Sequence, residues 1–200
     1  MSRLFAAVLL ILCTAVPARA QLPLSIAGFT LGEPVSGYED KVMPETKQAD
    51  RDALFVDEVS LRDDAVPCIR GGSLISGNCL GENRLIGIKL KFADRSKSLY
   101  DRLEKAYRKK FGEPANWIGD PFHNVLAWEW ILREGDDVLS VVLAYSVVAD
   151  MRPGVSIKMM LRSDWDRENA CYTRKNAHGR RMMEKHSVIV DDLSPFIPHQ

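Results

Sequence analysis

The stretch KKFGEPANWIGDPFHNVLAWEW, residues 109–130, divides a helical pattern from a run of strands. Ahead of the break, in DRSKSLYDRLEKAYRKKFGEP, Leu99, Leu103, Ala106, Tyr107 and Phe111 recur at the spacing of one helix face. Ser98 with Asp101 fits a capping box near the start of that helix, with a slightly earlier beginning also allowed. Asp101–Lys105 and Glu104–Arg108 stand four residues apart in the favourable acid-first order. Gly112 suits the position just past the last turn, and Pro114 prevents continuation. FGEP is therefore first of all a helix stop, and no ligand is needed to explain it.

Three strand patterns follow, NVLAWEWIL (124–132), DVLSVVLAYSV (137–147) and GVSIKMML (154–161), joined by REGDD and MRPG turns. In the middle one Leu139, Val141, Leu143, Tyr145 and Val147 share a face, with Val142 and Ala144 opposite, as expected of a strand covered on parts of both faces. Ahead of the helix, RLIGIKLKF (84–92) alternates Ile86, Ile88, Leu90 and Phe92 against Lys89 and Lys91. LFVDEVSL (54–61) reads as a strand, and the turn-rich residues 21–50 hold one short strand at 26–31. A second helix is expected from Ser163, capped by Ser163 and Asp166, either continuing through 174–186 or loosening at Gly179, before a less ordered tail from about residue 187. This order predicts one α+β domain over 21–200: a largely antiparallel sheet, with helices packed on one face.

Residues 1–20 read as a secretory signal peptide. Arg3 precedes the apolar run LFAAVLLILC, Pro17 breaks it, and Ala18-Arg19-Ala20 has the A-x-A form of a cleavage site. The run is too short to cross a bilayer, and no later segment is long and apolar enough to do so. Cys13 lies inside the run after bulky Leu12, which favours ordinary cleavage over a lipid anchor. A periplasmic or secreted product is expected. The chain carries 27 basic and 27 acidic residues, and losing Arg3 and Arg19 leaves it slightly acidic. Such a balance predicts no strong overall field for nucleic acid or membrane.

Cys68, Cys79 and Cys171 remain after the leader. In an oxidising compartment the near pair is the expected disulfide, Cys68–Cys79, closing the glycine-bearing loop CIRGGSLISGNC. Cys171 is then buried, free or paired between chains. Neither C-x-x-C nor H-x-x-x-H occurs, so no metal site and no cofactor is expected.

The candidate binding residues are Trp117, Asp120, His123, Trp128 and Trp130. Trp128 and Trp130 share a strand face, which can stack a sugar or a peptide but more often fills the layer under a helix. Trp117 reads as a loop residue that rims a cleft or lids the core. Asp120 and His123 form a conceivable acid–base pair. Asp120 before Pro121 is equally a turn former whose carboxylate caps local amides, and no G-x-S-x-G supplies a nucleophile. GGSLISGN lacks the Lys-Ser/Thr that ends a phosphate loop; as a stapled exposed knob it could face a partner. Arg174, Lys175, Arg180, Arg181 and Lys185, with His178 and His186, form a basic stretch that reads as a solvated helix face or a weak contact with anionic envelope surfaces.

The leader, AGFTLG near residue 27 and YRKKFGEPANW before a Trp-rich strand together resemble uncharacterised exported proteins of Gram-negative bacteria. More loosely, the helix–FGxP–meander order resembles small α+β envelope modules such as the accessory lipoprotein of outer-membrane barrel assembly and the β-lactamase inhibitor protein. Those resemblances imply protein binding and carry over no functional residue. The expected function is non-enzymatic binding of another envelope protein. A glycan or small-ligand binder using the tryptophans is the alternative, and a hydrolase the second alternative.

Overall fold

In a computed structural model of the chain, residues 21–148 and 153–177 are described. The expected leader, the basic residues Arg180, Arg181 and Lys185 with His178 and His186, and the tail from about 187 lie outside the described residues.

The strands are β1 (Ser25–Ile26), β2 (Phe29–Thr30), β3 (Gln48–Ala49), β4 (Val56–Ser60), β5 (Ile69–Gly77), β6 (Leu85–Phe92), β7 (Asn116–Trp117), β8 (Val125–Glu134), β9 (Asp137–Ser146) and β10 (Gly154–Leu161); the helices are α1 (Lys97–Phe111) and α2 (Arg162–Lys175). β1 and β2 form a small hairpin in place of the single strand expected at 26–31. Its turn residues, Ala27 and Gly28, have φ of 53° and 80°, the positive pair that matches strand twist in a two-residue turn. The other eight strands make one antiparallel sheet in the order β3-β4-β5-β6-β10-β9-β8-β7. The α+β class and the antiparallel sheet are as expected.

The helices, however, take opposite faces of that sheet. Successive residues of a strand point to opposite sides. On β10, Met159 belongs to the larger core, with Trp130, Val141, Leu143 and the α1 residues Leu103, Tyr107 and Phe111. Met160, next to it, belongs to a second cluster with Val56, Phe55, Ile75, Ile86 and the α2 residues Trp165 and Tyr172. Ile86 was expected beside Ile88 and Leu90. Instead the pairing of β5 and β6 shifts between Ile75 and Ser76, which pair with Gly87 and Leu85. Such a bulge turns Ile86 towards α2 while Leu85 joins the α1 side.

The Cys68–Cys79 bridge is not formed. The segment expected to be a loop is β5, nine residues long, which at about 3.3 Å per residue holds its ends roughly 30 Å apart. Two of its glycines, Gly72 and Gly77, serve close packing. A Cβ at Gly72 would stand 2.2 Å from the Lys89 carbonyl oxygen, and one at Gly77 would stand 2.1 Å from the Glu168 carboxylate. Cys79 instead pairs with Cys171 of α2, Cα atoms 6.0 Å apart and 92 residues apart in sequence, while Cys68 is free and exposed. Glu168 accepts the amides of Cys79 at 2.8 Å and Leu80 at 3.1 Å, and Lys175 donates to the Cys79 carbonyl at 2.6 Å. Disulfide and polar bonds thus tie α2 to the β5–β6 connection.

The helix ends differ in detail from the caps expected. Ser96, not Ser98, caps α1, accepting the Leu99 amide at 3.2 Å. Glu104 pairs with Arg108 at 2.9 Å as expected, whereas Asp101 pairs with Lys97 at 2.6 Å. Gly112 ends α1 at φ 79°, in the left-handed region where an L side chain is strained. β10 runs directly into α2, so no Ser163–Asp166 cap forms. Ser163 instead donates to Asp137 at 3.2 Å. No helix among the described residues is long and apolar enough to cross a membrane.

Candidate functional site

β7 and β8 lie at one end of the sheet, and their two faces carry different chemistry. On the α1 face, Trp130 and Trp128 point the same way, as their spacing predicts. Trp130 is 1% exposed. Its ring meets Tyr107 edge-on at 5.5 Å, and its indole N–H donates to the Gly112 carbonyl at 2.9 Å. It fills the layer under α1 and seals that helix's end, so it stands apart from the other candidates.

Trp128 and Trp117 are brought together. Trp117 is not in a loop but in β7, directly opposite Trp128, and their rings meet edge-to-face at 4.7 Å. Arg108 of α1 lies over Trp128 at 5.1 Å, and His123 approaches Trp117 at 6.1 Å. The 120–125 turn presents His123. Asp120 accepts the Phe122 amide at 2.9 Å and also the Val125 amide, and its own carbonyl takes the His123 amide at 3.0 Å. Local desolvation opposes ionisation of Asp120, but the amides of Val125, Phe122 and Asn124 outweigh it and hold the carboxyl below the usual aspartate range. This is the turn-capping arrangement that Asp-Pro suggested.

Six large apolar side chains are exposed among the described residues, and three of them fall in this segment: Phe122 at 84%, Ile118 at 48% and Trp117 at 39%. A fourth, Val147, donates its amide to the Asn124 carbonyl beside them. β7 is the last strand of the sheet.

Behind this edge, on the α2 face, is a group the sequence reading did not single out. Glu129, between the two tryptophans, has a side chain only 7% exposed and bonds Arg162 at 2.6 Å, Ser140 at 2.6 Å and Asn116 at 2.9 Å. Burial opposes its ionisation, but Ser140, Asn116 and Arg162 outweigh burial and hold the carboxyl below the usual glutamate range. The signal in the sequence was an acid in the middle of an otherwise apolar strand, WEW, which needs internal partners. A cleft of about 420 Å³ opens beside it, between β8–β10 and the first turn of α2. Among the described residues no group of three or more His, Cys, Asp or Glu could hold a metal ion.

Arg174 and Lys175 of the basic stretch lie exposed in the last turn of α2. Comparison with known protein families, with curated proteins and with solved structures finds no match to this chain.

Proposed function

We propose that this is a non-enzymatic, exported binding protein whose partner, another envelope protein, docks on the β7 edge. The observation that carries this reading is the clustering of Trp117, Ile118 and Phe122 at an open end of the sheet. Three exposed apolar residues in one short edge segment, Trp117 on the α1 side and Ile118 on the α2 side, favour an interaction surface that wraps the edge, and Trp is enriched among residues that dominate binding energy. Trp117 is braced by the rings of Trp128 and His123, so less side-chain freedom remains to be lost on contact. The edge-to-face Trp pair supports protein contact over sugar stacking, because Arg108 covers Trp128 and leaves Trp117 as the one open ring of the two. The buried Cys79–Cys171 bridge supports an oxidising compartment. Asp120 is committed to turn amides, which supports a structural role for it.

The test is site-specific photocrosslinking in intact cells. A crosslinker at Phe122 captures one discrete protein, and the same group at Leu54, which is also exposed but lies on the β3–β4 side, does not. Binding of that purified protein weakens at least about tenfold on Trp117→Ala, as for a hot-spot residue, and survives Asp120→Asn and His123→Ala. Equal capture from both positions, or full affinity with Trp117→Ala, defeats the reading.

A further inference from the structure

The cleft on the α2 face of β8–β10 has the make-up of a small-ligand site rather than a packing fault. Its volume, about 420 Å³, falls in the range of ligand pockets. Ile118, Val142, Met160 and Trp165 provide apolar walls. The polar lining includes two cations, Lys158 and Arg162, and one acid, Glu129. Both Glu129 oxygens are engaged inside the protein, one by Ser140 and Arg162, the other by Asn116. Its charge therefore serves to hold Arg162. The guanidinium gives one nitrogen to Glu129 while its side chain remains 53% exposed. A guanidinium is a planar fork with five donors, so a held Arg162 still presents further N–H groups to the cleft. Fixing it in advance lowers the ordering cost of binding.

We propose that this cleft binds a small carboxylate with an apolar body, the carboxylate on the outer edge of Arg162 and the body along Trp165, Val142 and Ile118. Glu129 is the positioning residue: it holds the arginine and does not touch the ligand. The N–H groups that Arg162 does not give to Glu129 select a carboxylate, and the apolar walls select against a bare inorganic anion.

The test titrates the purified full chain with octanoate, octanol and inorganic phosphate, following heat and the signals of the Trp165 indole and Ile118 methyls. Octanoate is expected to bind saturably at one site and to move both signals, with octanol and phosphate at least tenfold weaker. Arg162→Gln loses octanoate affinity at least tenfold. Arg162→Lys, which keeps the pair with Glu129 but not the fork, loses it severalfold and serves if Arg162→Gln does not fold. Absence of saturable octanoate binding, equal affinity for octanol or phosphate, or unchanged affinity in folded Arg162→Gln or Arg162→Lys overturns the proposal. None of these readouts involves the protein partner, so the two proposals fail independently.

Discussion

Trp130 and Trp117 show how one residue type does two kinds of work. Trp130 is a core residue with a polar handle, and its N–H satisfies a carbonyl freed where α1 stops. Trp130→Phe replaces the indole with a smaller ring and loses that bond, so urea denaturation of the variant is expected to show a loss of more than about 1 kcal/mol, from the bond and the cavity together. Trp117→Phe is expected to cost less, because Trp117 is 39% exposed where Trp130 is 1% exposed. Tyr100 runs the other way. It lies on the buried face of α1, its hydroxyl has no hydrogen-bond partner among the described residues, and burial pushes its ionisation far above the usual tyrosine range. Tyr100→Phe removes an unsatisfied polar atom and is expected to be neutral or stabilising by up to about 1 kcal/mol in the same assay. The roles of both tryptophans depend on which neighbours cover them. Spacing placed Trp128 and Trp130 on one face, yet it carried no sign that α1 would end over one of them.

At the scale of elements, α2 is held to the sheet at both ends. The Cys79–Cys171 bond secures its C-terminal half. In a chain-entropy account, a link across 92 residues stabilises by about 4–5 kcal/mol. Cys171→Ser is expected to lower the urea midpoint accordingly, while Cys68→Ser leaves it unchanged; the reverse result would mean that the pairing is wrong. The other end is held by Arg162 on Glu129. Because the folded Glu129 pKa is depressed, its contribution is present above the unfolded glutamate value of about 4.3 and is lost as pH falls through the lower folded value. Midpoints compared near neutrality and in mild acid are expected to fall less steeply in Glu129→Gln than in the parent. The elements themselves were largely legible: α1, β6, β8, β9 and β10 follow their periodicities to within a few residues. β5 was not. Its glycines read as turn formers, but Gly72 and Gly77 are required by the Lys89 backbone and the Glu168 side chain, contacts made by residues distant in sequence.

For the whole molecule, one sheet serves as the common wall of two cores. α1 and the β1–β2 segment close one side, and α2 closes the other. Removing either helix exposes the same central strands, so the two sides are expected to unfold together. Single-tryptophan variants that retain Trp130 on one face or Trp165 on the other test this: their fluorescence midpoints in urea coincide if the domain is cooperative. Separate midpoints would show that the smaller α2 core melts independently. The same wall organises the proposed sites. The aromatic edge and the ligand cleft lie on opposite sides of β7 and β8, with Ile118 exposed at the edge and also lining the cleft.

The sequence by itself determined the α+β class, the antiparallel meander, the stop after α1 and the shared face of Trp128 and Trp130. These follow from short-range rules: residue spacing, chain-breaking residues and the alternation of a strand. Only the tertiary structure decided the cysteine pairing, the opposite placement of the helices and the partners of Glu129. Each depends on what the chain brings alongside from far away. β10 runs straight into α2, which packs on the apolar cluster of Phe55, Ile75, Ile86 and Met160, and Cys171 and Arg162 go with it to the far side of the sheet.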